Sequence, residues 1–178
     1  MRANPRDQAS TVYTLLDAGE ATGETTHATI EDFIEPDAPR FVMAPGNGHL
    51  ASRFLPLDPW ARHVLMRHLD HARRARHPLN APLTYKGWKH QPGSQSATVS
   101  AHQVTERFIA PLGLLQGDLT VGSITQWRVA TTLKTHGSAA ALELSGRIDE
   151  AAMYRALGER IDAGSPDRPD DSGTSFAA

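Results

Sequence analysis

A chain of 178 residues, 39% hydrophobic and 21% charged, is long enough for one domain with a buried core and too ordinary in composition for wholesale disorder. It has no cysteine, which excludes disulfides, thiolate metal sites and cysteine nucleophiles. The net charge of −2 hides a pattern: residues 1–60 carry four basic and nine acidic side chains, residues 61–134 carry ten and three, and residues 135–178 carry four and eight. A basic middle between acidic ends offers a surface for phosphates despite the acidic total; uneven charge on solvated helices is the competing reading. The N-terminus lacks the apolar run of a signal peptide, and no stretch of about 18 apolar residues occurs, so a cytoplasmic protein without a membrane partner is expected.

Residues 1–10 read as a flexible tail. Thr11 to Ala18 reads as a helix with Val12, Leu15 and Leu16 on one stripe, ended by Gly19, and residues 25–33 as a second short helix with Ile30 and Phe33 inward. Arg40 to Ala44 and Arg53 to Leu57 are strands of a hairpin around the turn Pro45-Gly46-Asn47-Gly48. Asp58 caps a helix opened by Pro59 and running to about Arg76, with Trp60, Val64, Leu65, Leu69 and Ala72 on one face. Residues 77–97 read as a long loop with a short strand at Leu83-Thr84-Tyr85. Further helices are expected at Val99 to Ala110, Ser123 to His136 (capped by Ser123, stopped by Gly137), Ser138 to Leu144, and Asp149 to Ile161. The Pro-, Asp- and Ser-rich residues 162–178 read as a disordered tail. The fold class is therefore mostly α with a small antiparallel sheet (α+β), in a single domain over residues 11–161.

Three segments carry a family resemblance: Gly19-Glu20-Ala21-Thr22-Gly23-Glu24, Arg53-Phe54-Leu55-Pro56-Leu57, and Ser123-Ile124-Thr125-Gln126-Trp127-Arg128-Val129-Ala130-Thr131. In order and spacing the chain resembles the catalytic domain of the tyrosine recombinases, the phage integrase family. That family writes these segments G-x-R-x-G-E, R-x-[VI]-P-L, and H-x-x-R followed by A-T. Gly137, 11 residues after Gln126, matches a glycine that closes the same helix in the family. The resemblance covers about residues 11–160 and implies an integrase-like fold, DNA binding, and a role in DNA recombination or integration. It also implies a further helical domain before the catalytic one, for which this chain begins too close to the first motif.

The departures fall on the chemistry. The family cleaves a DNA phosphodiester with a tyrosine, and two arginines stabilise the negative charge of the transition state, assisted by a lysine on the hairpin and a histidine. Here the first arginine position is Ala21, the histidine position Ser123 and the second arginine position Gln126, and residues 40–57 hold no lysine. Losing one such donor costs about 10²–10³ in rate. The resemblance thus implies a degenerate, catalytically silent domain. Tyr154 is the candidate nucleophile if Ser145 takes the family's late histidine position; if Arg147 does, the tyrosine position falls on Ala156. A tyrosine packed beside Met153 and Leu157 is the plainer reading.

Arg62, Arg67, Arg73, Arg74 and Arg76, together with Lys86, Lys89 and Arg128, are the candidate DNA-contacting residues, since backbone phosphates need positive charge on an accessible face and no fixed motif. Tyr85, Lys86, Trp88, Lys89 and His90 interleave aromatic and basic residues in a loop, a mix suited to stacking and phosphate contact or to anchoring through Trp88. His68 and His71 share a helical face but lack a third ligand, so no metal and no cofactor is expected. Two alternatives accompany the degenerate recombinase. One is an active, atypical recombinase using Tyr154, with Arg53 or Arg128 moved into the phosphate site. The other is a helical protein-interaction domain without a DNA role. Family members exchange a terminal helix between protomers, so a homo-oligomer or a partner recombinase is expected to contact the C-terminal helices.

Overall fold

The computed structural model describes residues 5–33, 39–85, 90–113 and 119–158. Among them are five helices, α1 (Pro5–Ala18), α2 (Pro59–Arg74), α3 (Gln95–Ile109), α4 (Ser123–Ser145) and α5 (Glu150–Ala156), and a two-stranded antiparallel sheet of β1 (Phe41–Ala44) and β2 (Arg53–Pro56). Mostly α with a small antiparallel sheet is what the sequence pattern predicts. No helix of the described residues is long and apolar enough to cross a membrane.

α1 packs against α2, α3 and α4. Leu15 enters one apolar cluster with Leu55, Leu65 and Leu69, while Val12 and Leu16 enter a second with Tyr85, Ala97, Ala101 and Val121. One helix therefore seals two cores, each fully buried leucine contributing about 1.5–3 kcal/mol. The helix starts at Pro5, six residues ahead of expectation, so residues 5–10 are not a flexible tail. Proline suits the first helical turn. What holds that turn is distant in sequence: the buried Asp7 carboxylate lies 2.6 Å from His71 Nδ1 and 3.6 Å from Arg67, and Gln8 Nε2 donates to the Tyr85 carbonyl at 2.7 Å.

The expected helix over 25–33 is interrupted. Glu24–His27 and Glu31–Phe33 each form a single 3₁₀ turn, and the residues between them pair with the chain at 81–83 (Ile30 N to Ala81 O, Leu83 N to Ala28 O). Long-range backbone pairing outcompetes the local helix; Ile30 and Phe33 are still buried, as their pattern requires. The same pairing replaces the expected strand at Leu83 to Tyr85 with one isolated bridge, Thr29 to Pro82. In the hairpin, Val42 pairs with Leu55 and Ala44 with Arg53, their side chains inward; Phe41, Met43 and Phe54 point outward and are exposed. Gly46 (φ 73°) turns the chain where a Cβ would lie 2.5 Å from the Leu50 carbonyl oxygen.

Asp58 caps α2, accepting from Ala61 N at 2.7 Å. Trp60 is half-exposed, edge-on to Tyr13, and Ala61 and His68 complete the buried face in its place. α3 begins four residues before the expected Val99, because Ser94 accepts from Ala97 N. α4 breaks at Gly137 (φ 84°, ψ 177°), where the sequence places a stop. Ser123 is not its N-cap: Gly122 precedes the helix, and Ser123 Oγ accepts from Thr120 N instead. Asp149 caps α5 through Ala152 N at 2.6 Å, and the helix ends at Ala156, short of the expected Ile161, because Gly158 turns the chain at φ 76°; residues 159–161 and the tail over 162–178 lie outside the described residues.

Candidate functional site

The segment that ends α1 and the segment that begins β2 are joined by a buried ion pair. Arg53 Nη1 and Nη2 donate to the two carboxylate oxygens of Glu24 at 2.9 and 3.0 Å, and both side chains are almost wholly buried. The remaining Arg53 donors go to backbone carbonyls: Nε to Leu144 at 2.8 Å, Nη2 to Gly19 at 2.9 Å, and Nη1 to Ala51 at 3.1 Å. Glu24 also accepts from Ala21 N at 2.7 Å and Gly46 N at 3.1 Å. This clasp locks the α1 exit, the hairpin and the end of α4 to one another. Both carboxylate oxygens and all three guanidinium nitrogens have partners, and these hydrogen bonds offset the cost of taking the two charges out of water.

Beside the clasp lies a cleft of about 290 Å³. Its walls bring together Ala21 and Thr22 after α1, Thr125 and Gln126 of α4, Ser145 and Arg147 at the α4 exit, and Met153 and Ala156 of α5. Thr125 Oγ1 donates to the Glu20 carbonyl at 2.7 Å, tying α4 to the first segment, and Gln126 Nε2 donates to the Ala156 carbonyl at 3.1 Å, tying α4 to α5. Sequence segments 19–24 and 123–131 thus meet at the same place, and so does 145–156. Ser123 does not line the cleft; its neighbour Gly122 does.

Two registers are open for the C-terminal segment, and they differ in which residues face this space. Arg147 and Ala156, nine residues apart, both line the cleft. Tyr154 does not; it is half-buried and packs against the main apolar cluster with Leu157. The cleft presents hydroxyls, one amide and the Arg147 guanidinium. Among the described residues no tyrosine lines it, and its charge comes from that one arginine. Arg53 is committed to the clasp. Arg128 lies near Asp17 of α1, whose carboxyl is raised by burial and partly pulled back by that arginine; its own Nε is buried without a hydrogen-bond partner. Neither reaches the cleft lining.

The basic residues of the middle segment are dispersed around α2. Arg62 Nε donates to the Leu57 carbonyl, Arg73 donates to the Phe33 carbonyl and lies 3.8 Å from Asp70, and Arg67 pairs with Asp7. Arg74 and Arg76 are on the surface. Lys86 and Lys89, with Trp88, lie outside the described residues. Arg67 also lines an open groove of about 630 Å³ with Arg6 of α1 and Arg107 of α3, beside Phe108. Sequence reasoning missed this trio: the three arginines come from three helices with no motif linking them, and Arg6 falls in the stretch read as a tail.

His68 and His71 do not share a site. His68 Nδ1 is 2.8 Å from Thr11 Oγ1 in the core, and its imidazole is lowered to about 4, mainly by burial, with Asp7 opposing and His71, His77 and Arg67 reinforcing. His71 sits outside, against Asp7. Among the described residues no three of His, Asp and Glu gather as metal ligands. Comparison with protein-family models, with curated proteins and with solved structures finds no match for this chain.

Proposed function

We propose that this chain is a catalytically silent, tyrosine-recombinase-like domain that contacts duplex DNA. One observation supports the reading above others: Ala21 and Gln126, which the resemblance assigns to the two arginines, and Ala156, one of its two alternatives for the tyrosine position beside Tyr154, lie far apart in sequence and line one cleft. The clasp that would position them is complete, while the two arginine positions hold an alanine and an amide. An alanine offers no donor to a phosphorane, and a neutral amide cannot balance its charge. DNA contact in this reading falls to the groove of Arg6, Arg67 and Arg107 and to Arg74 and Arg76 beside it in sequence on α2 and its exit, with the C-terminal helices left to meet a second recombinase-like chain.

The test is fluorescence anisotropy with labelled duplex DNA at low and physiological salt. The expected result is salt-sensitive binding, weakened in Arg67→Glu/Arg107→Glu, with the log–log salt slope reduced by about 0.9 for each phosphate that is no longer neutralised. On nicked duplex, neither the parent nor Tyr154→Phe forms a covalent adduct. An adduct present in the parent and absent from Tyr154→Phe would restore the atypical-enzyme reading. Absence of binding even at low salt would leave the protein-interaction reading, which the exposed Phe41, Met43 and Phe54 favour.

A further inference from the structure

Glu20 has its backbone beside the wall of the first cleft and its side chain in another. This second cleft, of about 320 Å³, lies between the inward side of the 24–33 segment and the hairpin. Its lining holds the carboxylates of Glu20, Glu24 and Asp32, together with Phe33, Phe41 and Phe54. Glu20 is 1% exposed, and its Oε2 has no hydrogen-bond partner. The nearest cation cannot serve it: Arg53 is fully engaged by Glu24 and by the carbonyls of Gly19, Ala51 and Leu144. Asp32 is held by one oxygen, which accepts from the backbone and hydroxyl of Thr29.

The cleft therefore gathers more acid than base, around a buried carboxyl left without a donor, under aromatic walls. Phe41 and Phe54 are 57% and 72% exposed at its rim, a costly place for rings that cover no core. A buried carboxyl and aromatic side chains in one lining is the composition that recognises a cation with an apolar body. A bare metal ion is poorly matched, because apolar walls provide no further oxygen ligands.

We propose that this cleft binds an organic cation, a protonated amine or guanidinium on an apolar stem, with Glu20 as its buried counter-ion and Phe41 and Phe54 flanking the stem. Burial, with Glu24 and Asp32 adjacent, pushes the Glu20 carboxyl well above the ordinary carboxylate range, and Arg53 opposes this; His27 also lines the cleft. Docking of the cation shifts Glu20 toward its ionised form, so binding releases a proton to solvent and strengthens as pH rises.

The full chain is titrated with n-butylammonium, and with n-butanol as its uncharged counterpart, while the phenylalanine ring resonances are followed by NMR. Saturable shifts of the Phe41 and Phe54 rings are expected for the cation alone. Glu20→Gln keeps the shape of the protonated acid and weakens binding by about 10- to 100-fold, the weight of a charge-assisted hydrogen bond. Phe54→Ala, a surface change, weakens it without disturbing the fold. Equal binding by butanol, equal binding by Glu20→Gln, or no saturation by any cation would overturn the proposal. Two peptide probes, N-acetyl-Gly-Arg-Gly amide and N-acetyl-Gly-Gln-Gly amide, distinguish the source. Tighter binding of the arginine peptide than of butylammonium assigns the site to a basic side chain of a protein, and weaker binding assigns it to a free small cation. The titration contains no DNA, so its result is independent of the nucleic-acid reading.

Discussion

Arg53 and Glu24 are each almost wholly buried, and each would be expensive alone. Arg53→Met is expected to cost about 3–5 kcal/mol, measured by denaturant unfolding, because it strands the Glu24 carboxylate in the interior. The double replacement Arg53→Met/Glu24→Gln should cost less than the sum of the single changes, since it leaves no unpaired charge. Two other residues set opposite pH trends. His68 titrates near 4 when folded against an ordinary value of 6.5, so as pH falls through that window the unfolded chain takes up a proton that the folded one refuses. Stability should drop by about 3 kcal/mol across it, and His68→Gln should flatten the profile. Glu20 acts the other way. Its folded carboxyl keeps its proton above the ordinary value of 4.5, so stability declines as pH rises beyond that point, and Glu20→Gln should gain in melting temperature relative to the parent at neutral pH.

Elements whose ends are governed by neighbouring residues were legible in the sequence. Asp58-Pro59 starts α2 and Asp149 starts α5 because a side-chain oxygen three residues before a free N–H needs nothing from the rest of the fold. The start of α1 was not legible, because Asp7 and Gln8 are held by His71 and Tyr85, 64 and 77 residues away. The break at 28–30 was hidden for the same reason: its backbone partners sit at 81–83. Ala21 and Gln126, which spacing along single segments singles out, both line the cleft. Which of Tyr154 and Ala156 faces the cleft depends on how α5 rolls against the core, which spacing alone does not fix. The close of α4 supplies a test at this scale. Gly146 has φ 65°, and a Cβ there would lie 2.5 Å from Arg53 Nη1. Gly146→Ala should cost about 2–4 kcal/mol in equilibrium unfolding, since it strains the backbone and loosens the clasp together.

For the molecule as a whole, charge is sorted by surface. The groove of Arg6, Arg67 and Arg107 is basic, whereas the cleft of Glu20 and Asp32 beneath the hairpin is acidic. A polyanion and an organic cation would therefore meet different faces of one small fold, and neither should compete with the other. Raising salt is expected to weaken a duplex held by the arginine groove steeply, because each phosphate contact releases condensed counterions. The same change should weaken n-butylammonium little, since a buried contact is poorly screened. Running both titrations across one salt series checks whether the two surfaces are independent.

Gly137 adopts a backbone conformation that is almost closed to other residues, yet a Cβ there would touch nothing. The cleft takes Gln126 and Val129 from the rod before this joint and Ser145 from the end of the rod after it, with Arg147 just beyond. The two halves of α4 that line the cleft therefore meet at one glycine joint, exposed to solvent and free of side-chain packing. A residue with a Cβ at 137 would have to leave this conformation, so the angle between the two halves of α4 is tied to glycine there.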